Sequence, residues 1–349
     1  MKSLAKRICV LPLLLFVFSF VSSAQSFETA VDYMEYISKA NQALTEKYLF
    51  YLSGMSHGKN AKKVEKRRQE LLQAISDTRF SIMGMPPFKG DRTLKDTTVA
   101  YLKILNSVFN EDYGKIVNME EIAEQSYDLM EAYMLAKDKA NEKLNEASER
   151  QHVMQEKFAE KNHITLVKTE TELNLKMKTA AEVMKHYNEV YLLFFKSYKQ
   201  EAYLLEAVNK KNISSIEQNL NSIKNYSTDG LDKLKDVKGY NNDPSLIVAC
   251  RNLLIFYKDE ASKGSATTDY LLKEENFMKL KKDFEAKPAS KRTQQEVDQF
   301  NKSVNDINTA GNSLNAINAT FNKQRSGALN DWEKAVKKYM DDYIPTQQR

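Results

Sequence analysis

The sequence predicts an all-α fold of two tandem, duplicated, antiparallel four-helix bundles with long coiled-coil-like helices. No glycine or proline, the two main helix breakers, occurs in the 115 residues between Gly114 and Gly230. This stretch is rich in Ala, Leu, Met, Glu, Lys and Gln, whose side chains lose little entropy in a helix. Apolar residues also recur at spacings of three and four, which is typical of packed helices.

The N-terminus predicts a cleaved signal peptide over residues 1–24. Three basic residues precede an apolar run at 8–21, and small residues follow at 22–24, so we expect cleavage before Gln25. The alternative is a retained membrane anchor, but the run is short for a spanning helix, which needs roughly 20 residues. Cys9 lies inside the apolar run, which disfavours lipid attachment. We therefore expect an exported chain without a lipid anchor or a transmembrane segment, in the periplasm, at the cell surface or secreted.

The first bundle is predicted over residues 25–162. Its first helix carries an apolar seam in which Asn41 is the one polar member: Met34, Ile37, Asn41, Leu44, Tyr48, Tyr51 and Met55. Further helices are predicted over 64–82, over 99–109 with an end before Gly114, and from Asn118 to Phe158. The fourth helix is about 60 Å long at ~1.5 Å per residue, so we expect it to project beyond the bundle.

A joint at 163–169 and a second bundle at 170–349 complete the prediction. The β-branched residues at 164–167 interrupt the helical pattern. The helices that follow begin at residues with N-cap character: Thr169, Ser214, Asp243 and Thr293. Pro288 either kinks or ends the helix in which it lies.

Short landmarks recur between the two halves in the same order. At an offset of 152 or 149 residues the matches are Lys59-Asn60-Ala61 with Lys211-Asn212-Ile213, Lys89-Gly90 with Lys238-Gly239, and Val99-Ala100 with Val248-Ala249. Helical proteins also share such a rhythm by chance. The preserved order favours an internal duplication.

Net charge limits the kinds of partner that the chain can bind, and cysteine content limits its possible chemistry. The leader holds three of the 52 basic residues, which leaves 49 against 47 acidic residues. Nucleic-acid binding needs a clustered basic surplus, so we expect no nucleic-acid partner. The basic run at 62–68 is interpreted as a solvated helix face. Cys250 is the one cysteine after cleavage, and its apolar neighbours predict a buried, unreactive side chain.

The sequence predicts no catalytic, metal or cofactor site, and the chain is interpreted as a non-enzyme. The four histidines are not at metal-ligand spacing. His186 and Glu189 form an HxxE pair that resembles the motif of an exported helical peptidase-like family, but the expected glycine context is missing. Nucleophile-elbow, phosphate-loop and CxxC motifs do not occur.

One loop combines bulky apolar residues with prolines that fix its shape. Met85, Pro87 and Phe88 are candidate binding residues there, and Tyr240 is the counterpart in the second half. Two interpretations stay open. The loop covers the end of the bundle, or it forms a rigid exposed contact.

The leader, the start Tyr33-Met34-Glu35-Tyr36 and the run of helices together resemble a family of uncharacterised, exported, all-helical bacterial surface proteins. The resemblance implies a location and no assigned activity. We predict a scaffold or protein-interaction role in the envelope, with another protein or an envelope component as partner. The alternative is an exported carrier that holds a small apolar ligand or heme between aromatic-rich helices.

Overall fold

The computed structural model describes residues 27–57, 61–116, 123, 125–167 and 172–344. Within these ranges the chain is helical and forms no strand beyond an isolated bridge between Phe88 and Asp91. The helices are α1 (Ala30–Ser56), α2 (Ala61–Gly84), α3 (Thr93–Ser107), α4 (Tyr127–Lys161), α5 (Glu172–Asn209), α6 (Ile213–Lys233), α7 (Ser245–Lys263), α8 (Ser265–Ala286) and α9 (Gln294–Tyr343). The all-α prediction is confirmed. The leader at 1–24 and the caps expected at Asn118 and Thr169 lie outside the described residues.

The helix starts follow from side-chain caps. Thr293 and Glu296 form the predicted capping box of α9, and Thr29 forms a second box at α1. Ser126 caps the described start of α4 through the Leu129 amide. The start predicted at Ser214 is wrong by two residues, because Asn212 supplies the cap of α6.

The third helix does not stop before Gly114, which corrects the sequence prediction. It passes into a π-helical turn at Val108–Asp112 and continues to residue 116. The guanidinium of Arg68 donates a hydrogen bond to the carbonyl oxygen of Phe109 within this turn, at 2.6 Å. A partner outside the helix therefore stabilises the altered backbone pattern.

The basic run at 62–68 is only partly solvated. Lys62, Lys63 and Lys66 are exposed, as predicted. Arg68, however, is buried and pairs with Glu65. The Arg67 guanidinium lies over the Phe50 ring at 3.6 Å. The interpretation as a fully solvated face is therefore wrong for the two arginines.

The helices of the first half pack in chain order, α1 on α2, α2 on α3 and α3 on α4. At one end of this core the ring of Phe158 stacks on Tyr33 at 5.6 Å and meets Phe88 edge-on at 5.7 Å. Lys161 pairs with Asp91 at 2.7 Å just beyond these rings. The far end of α4 is therefore buried, and the expectation that it projects is wrong.

The second half has a separate apolar core between α5, α6, α7 and the C-terminal part of α9. Trp332 of α9 packs edge-on against Phe194 of α5 at 4.7 Å. The helices α5 and α6 approach closely at Gly230, where an added Cβ would lie 2.7 Å from the Leu193 carbonyl oxygen. Only glycine permits this approach.

Helix α5 connects the halves, because it packs against α1 and α4 as well as its own core. His57 adds a polar link. Its Nδ1 lies 3.0 Å from the carboxylate of Asp341, and its Nε2 lies 3.0 Å from the carbonyl oxygen of Ile344. Both partners are hydrogen-bond acceptors, and each ring nitrogen of His57 faces one of them.

A two-helix arm extends from the second core. No residue from 272 to 320 is buried, and this segment comprises most of α8 and the first half of α9. At its tip the rings of Phe284 and Phe300 stack at 4.3 Å. Pro288 follows the end of α8 at Ala286, so it ends that helix and does not kink it. In the part of the chain that the structure describes, no helix is long and apolar enough to cross a membrane.

Candidate functional site

The predicted binding loop faces the protein interior. Met85 is 1% exposed and Phe88 is 5% exposed, and both belong to the core of the first half. The Tyr33 hydroxyl donates to the Pro86 carbonyl at 3.2 Å, and Lys95 Nζ donates to the Met85 carbonyl at 2.5 Å. Of the two interpretations left open, this geometry fits a loop that covers the bundle end. Met85 and Phe88 are not an exposed contact pair, although Pro87 between them is exposed.

Tyr240, the counterpart in the second half, is half-buried. Its ring meets that of Tyr343 edge-on at 5.2 Å, and its hydroxyl donates to the Glu182 carboxylate at 3.3 Å. Tyr240 packs against the core of the second half, whereas Met85 and Phe88 pack in the first. The structure does not bring the four candidate residues into one site.

Cys250 and His186 are structural. The Cys250 side chain is fully buried, its Sγ donates to the Val190 carbonyl at 3.5 Å, and burial raises its pKa to about 12. His186 is 8% exposed beside the Tyr339 ring, and burial lowers its pKa. Among the described residues, no group of three or more His, Cys, Asp and Glu side chains is placed to hold a metal ion.

A cavity of about 800 Å³ lies between α1, α4 and α5. It exists because α1 and α4 each pack on their neighbours in the first half but make no extended contact with each other. Helix α5 crosses the space between them and contacts both. The cavity is therefore built where the two halves of the chain meet, a common location for ligand sites in proteins.

Helices α1, α4 and α5 form the walls of the cavity. Residues of α2, of α3 and of the segment that follows α3 form its floor. The lining side chains of α1 are Asn41, Leu44, Thr45, Tyr48, Leu52, Met55 and Ser56; those of α4 are Lys137, Asp138, Asn141, Glu142, Leu144, Asn145 and Ser148; those of α5 are Asn174, Met177, Lys178, Ala180, Ala181, Glu182, Met184, Lys185 and Asn188. Leu71, Tyr101, Leu105, Phe109 and Tyr113 complete the lining.

The floor is aromatic and is tied to the π-helical turn. Phe109 stacks on Tyr113 at 5.0 Å and meets the Tyr48 ring edge-on at 5.2 Å. Burial raises the pKa of Tyr48 and of Tyr101 to about 12, so both hydroxyls are neutral at physiological pH. The turn therefore places a neutral ring cluster beneath the cavity.

Amide side chains give the walls their polar character. Asn41 Oδ1 is buried and has no hydrogen-bond partner within the described residues. The Tyr113 hydroxyl donates to Asn141 Oδ1 at 2.8 Å, which joins floor and wall. Asn145, Asn174 and Asn188 also line the space. An amide carries both a donor and an acceptor, so these walls can bind groups of either kind.

The formal charges of the lining cancel. Three lysines, Lys137, Lys178 and Lys185, stand against the three acids Asp138, Glu142 and Glu182. Lys137 also lies 5.3 Å from the Tyr133 ring centroid, and Glu182 accepts the bond from the Tyr240 hydroxyl. The described lining contains no histidine or cysteine. The methionine, tyrosine and lysine side chains that remain are less common heme ligands than histidine and cysteine, so heme fits this cavity less well than a metal-free organic ligand.

Two polar residues in the sequence are a signal of this site. Asn41 interrupts the apolar seam of α1, and Lys137 lies at helical spacing between Tyr133 and Ala140 of α4. Both residues line the cavity. A polar residue in a helix seam is costly unless it is paired or faces a solvated space. The two interruptions mark the faces that do not pack on another helix.

No family model, curated protein or solved structure matches the chain.

Proposed function

We propose that this chain is an exported, non-enzymatic carrier that holds a small molecule in the cavity between α1, α4 and α5. The observation that supports the proposal is the cavity itself, about 800 Å³ and lined by aromatic and amide side chains. Ligand pockets in proteins span roughly 300–1,000 Å³ and combine apolar surface with a few placed polar groups. Of the two functions expected from the sequence, this geometry favours the carrier over the scaffold.

The polar groups of the cavity also support the proposal. The free energy of folding favours pairing or hydrating every buried polar atom, and an unpaired one costs about 1–3 kcal/mol. Asn41 Oδ1 is such an atom. A ligand that donates a hydrogen bond to Asn41 offsets this cost. Binding therefore provides a reason for a residue that folding alone disfavours.

We further propose that the fold consists of two tandem four-helix units related by duplication, with α1 to α4 in one unit and α5, α6, α7 and α9 in the other. The two separate apolar cores support this division. The matched pairs Val99-Ala100 and Val248-Ala249 lie within the third helix of each unit, α3 and α7. On this proposal, the cavity is a specialisation of the first unit that the second unit covers.

The decisive experiment is to identify what co-purifies with the protein from its own cells. Native mass spectrometry should show a ligand-bound species, and extraction should release the ligand for identification. Ala181 lines the cavity on α5, so Ala181→Trp should fill the space and remove the bound species. Ala43→Trp is the matched control, because Ala43 is exposed on α1 and outside the lining.

Two results would contradict the carrier. One is a protein that carries no ligand in its native envelope fraction. The other is a ligand retained equally by Ala181→Trp and Ala43→Trp, since the ligand would then lie elsewhere. Export is tested separately by N-terminal sequencing of the envelope-derived protein. A mature chain that begins at Gln25 supports the leader, and a chain that begins at Met1 contradicts it.

The arm at 272–320 favours a second candidate, the scaffold role. Leu272 and Met278 are 46% and 59% exposed on it, and the tip is held by the Phe284–Phe300 stack and by Arg292 over Phe284 at 4.3 Å. A rigid, solvated helical pair with exposed apolar residues is typical of an interaction element. Crosslinked pull-down from the envelope, compared with Met278→Ser, tests this role independently of the cavity.

A further inference from the structure

We infer that the cavity takes a neutral saccharide, with its hydroxyl groups on the amide walls and its ring faces on the aromatic floor. The inference rests on the proposed carrier function and specifies the chemical class of its ligand. Three properties of the lining support it: charge balance, hydrogen-bonding capacity and an apolar floor. The first two properties each disfavour a competing class of ligand, and the third complements the C–H face of a sugar ring.

The charge balance disfavours ionic ligands. The three lysines and three acids of the lining cancel, whereas sites for phosphates or fatty carboxylates present a surplus of positive charge. The residues nearest the floor add no charge, because Tyr48, Tyr101 and Tyr113 are neutral phenols. An uncharged ligand therefore requires the least compensation here.

The hydrogen-bonding capacity disfavours purely apolar ligands. Five asparagines line the walls, Asn41, Asn141, Asn145, Asn174 and Asn188, together with Thr45, Ser56 and Ser148. Thr45 and Ser56 already donate to backbone carbonyls, and Asn141 accepts from Tyr113. A hydrocarbon or a porphyrin face would still remove water from an exposed amide such as Asn145 and supply no partner for it, which is costly. A hydroxyl both donates and accepts, so a sugar matches an amide in either orientation.

Asn41 makes the strongest single contribution. Its Oδ1 is an amide carbonyl oxygen, which can only accept, and it is buried without a partner among the described residues. A ligand hydroxyl is a donor of suitable size for a space that also borders Thr45 and Tyr48 on the same helix face. The apolar floor beneath it, with Leu105 and Phe109, complements the C–H face of a sugar ring. The volume of about 800 Å³ favours a short oligosaccharide over a single ring.

The test is isothermal titration calorimetry of the purified protein with three neutral disaccharides: cellobiose, maltose and N,N′-diacetylchitobiose. Decanoate and hemin serve as the apolar probes. We expect saturable binding of at least one disaccharide. Asn41→Leu should weaken that binding by about 10-fold, the loss of one buried hydrogen bond. Gln42→Leu, the same new side chain at an exposed neighbouring position, should leave it unchanged.

A second variant keeps the test valid if Asn41→Leu disturbs folding. Asn145 lines the cavity with an exposed side chain, so Asn145→Leu should weaken the same binding without a change in the unfolding midpoint. Equal affinity in both variants and wild type would overturn the inference.

The outcomes separate the inference from the proposed function. Binding of decanoate or hemin that Ala181→Trp abolishes, with no disaccharide bound, overturns the saccharide and leaves the carrier. The absence of any bound probe and of any co-purified ligand overturns both.

Discussion

Polar side chains enter the interior of both halves, but they meet opposite surroundings. In the second half Arg325 of α9 pairs with the buried carboxylates of Glu201 on α5 and Glu260 on α7. In the first half the amides between α1 and α4 face a cavity, and Asn41 Oδ1 has no partner in the described protein. The first arrangement gives every charge an ion partner within the protein, although Glu260 Oε2 has no hydrogen-bond partner among the described residues. In the second, the carrier proposal assigns to a ligand the partner that Asn41 Oδ1 lacks.

This difference distinguishes polar groups that stabilise the fold from polar groups that the carrier proposal assigns to ligand binding. The ionic cluster sits among helices that pack closely, with Phe256 and Phe321 beside it. Its charges pair with each other, so removal of one member leaves a buried, uncompensated charge. In the cavity the contrasting group is Asn41 Oδ1, which has no partner in the described structure. Mutations in the two regions should therefore differ in sign as well as size.

The largest effect is expected for Arg325→Met. This change removes the cation and leaves the buried carboxylate of Glu201 without its partner. Breaking a buried ion pair in this way costs about 3–5 kcal/mol of unfolding free energy. Urea denaturation followed by circular dichroism measures it. The triple variant Arg325→Met, Glu201→Gln, Glu260→Gln is the control and should recover most of the loss.

A loss below about 1 kcal/mol for Arg325→Met would contradict the comparison. It would mean that water reaches the cluster and screens it like a surface pair.

The pH dependence of stability is expected to come next. Burial and the neighbouring Glu201 raise the pKa of Glu260 to about 8. The folded protein then keeps a proton that the unfolded chain releases above its ordinary pKa near 4.5. The contribution is fully present below that ordinary pKa and is lost as pH rises through the raised one. Stability should fall over this window by up to about 1.4 kcal/mol per pH unit for one proton.

Urea midpoints measured from pH 4.5 to 8.5 check this sign. Glu260→Gln carries no titrating group at this position, so its curve should be flatter than that of wild type. Groups outside the ionic cluster titrate alike in both proteins and cancel in the difference. Parallel curves would show that Glu260 is ionised in the folded state.

The sequence predicted the helices well and the spaces between them poorly. Local signals set the helix starts, as at Thr293, where cap and glutamate are three residues apart. The length of about 60 Å predicts that α4 projects beyond the bundle. In the structure Phe158 reaches the aromatic cluster at the bundle end. That contact joins residues more than 100 positions apart, which a periodicity argument within one helix does not include.

The sequence predicts the cavity only in part, because its position depends on contacts between helices that are distant in the sequence. Asn41 interrupts its seam visibly, but the consequence depends on whether α4 packs there. The π-helical turn beneath the cavity contains no glycine or proline that would predict it, since Gly114 lies beyond the turn. The arginine that supports this turn was interpreted as solvated. Tertiary contacts decide such features, and sequence spacing does not encode them.

Two tyrosine hydroxyls, one in each region, allow the same comparison with a smaller expected effect on stability. The Tyr113 hydroxyl donates to Asn141 at 2.8 Å beneath the cavity, whereas the buried Tyr257 hydroxyl beside the ionic cluster has no partner in the described structure. Tyr113→Phe should cost about 1 kcal/mol. Tyr257→Phe should cost nothing measurable. Equal losses in urea denaturation would show that the Tyr257 hydroxyl has a bound water as partner.

The smallest effect on stability is expected for Asn41→Leu, and the sign of that effect tests the difference between the two halves. The substitution replaces a buried, unpaired amide with an apolar side chain of similar size, in a seam otherwise built from Leu44, Tyr48 and Met55. Removing an unsatisfied polar group in favour of an apolar isostere is neutral or stabilising. The ligand-free variant should therefore unfold at a urea midpoint equal to or above that of wild type. Gln42→Leu should match wild type, because position 42 is exposed on the outer face of α1.

A loss of about 1 kcal/mol or more for Asn41→Leu alone would show that folding itself uses this amide. The polar group would then be structural in both halves, and the distinction between them would fail. A neutral or positive change leaves ligand binding as the reason for an amide at this position.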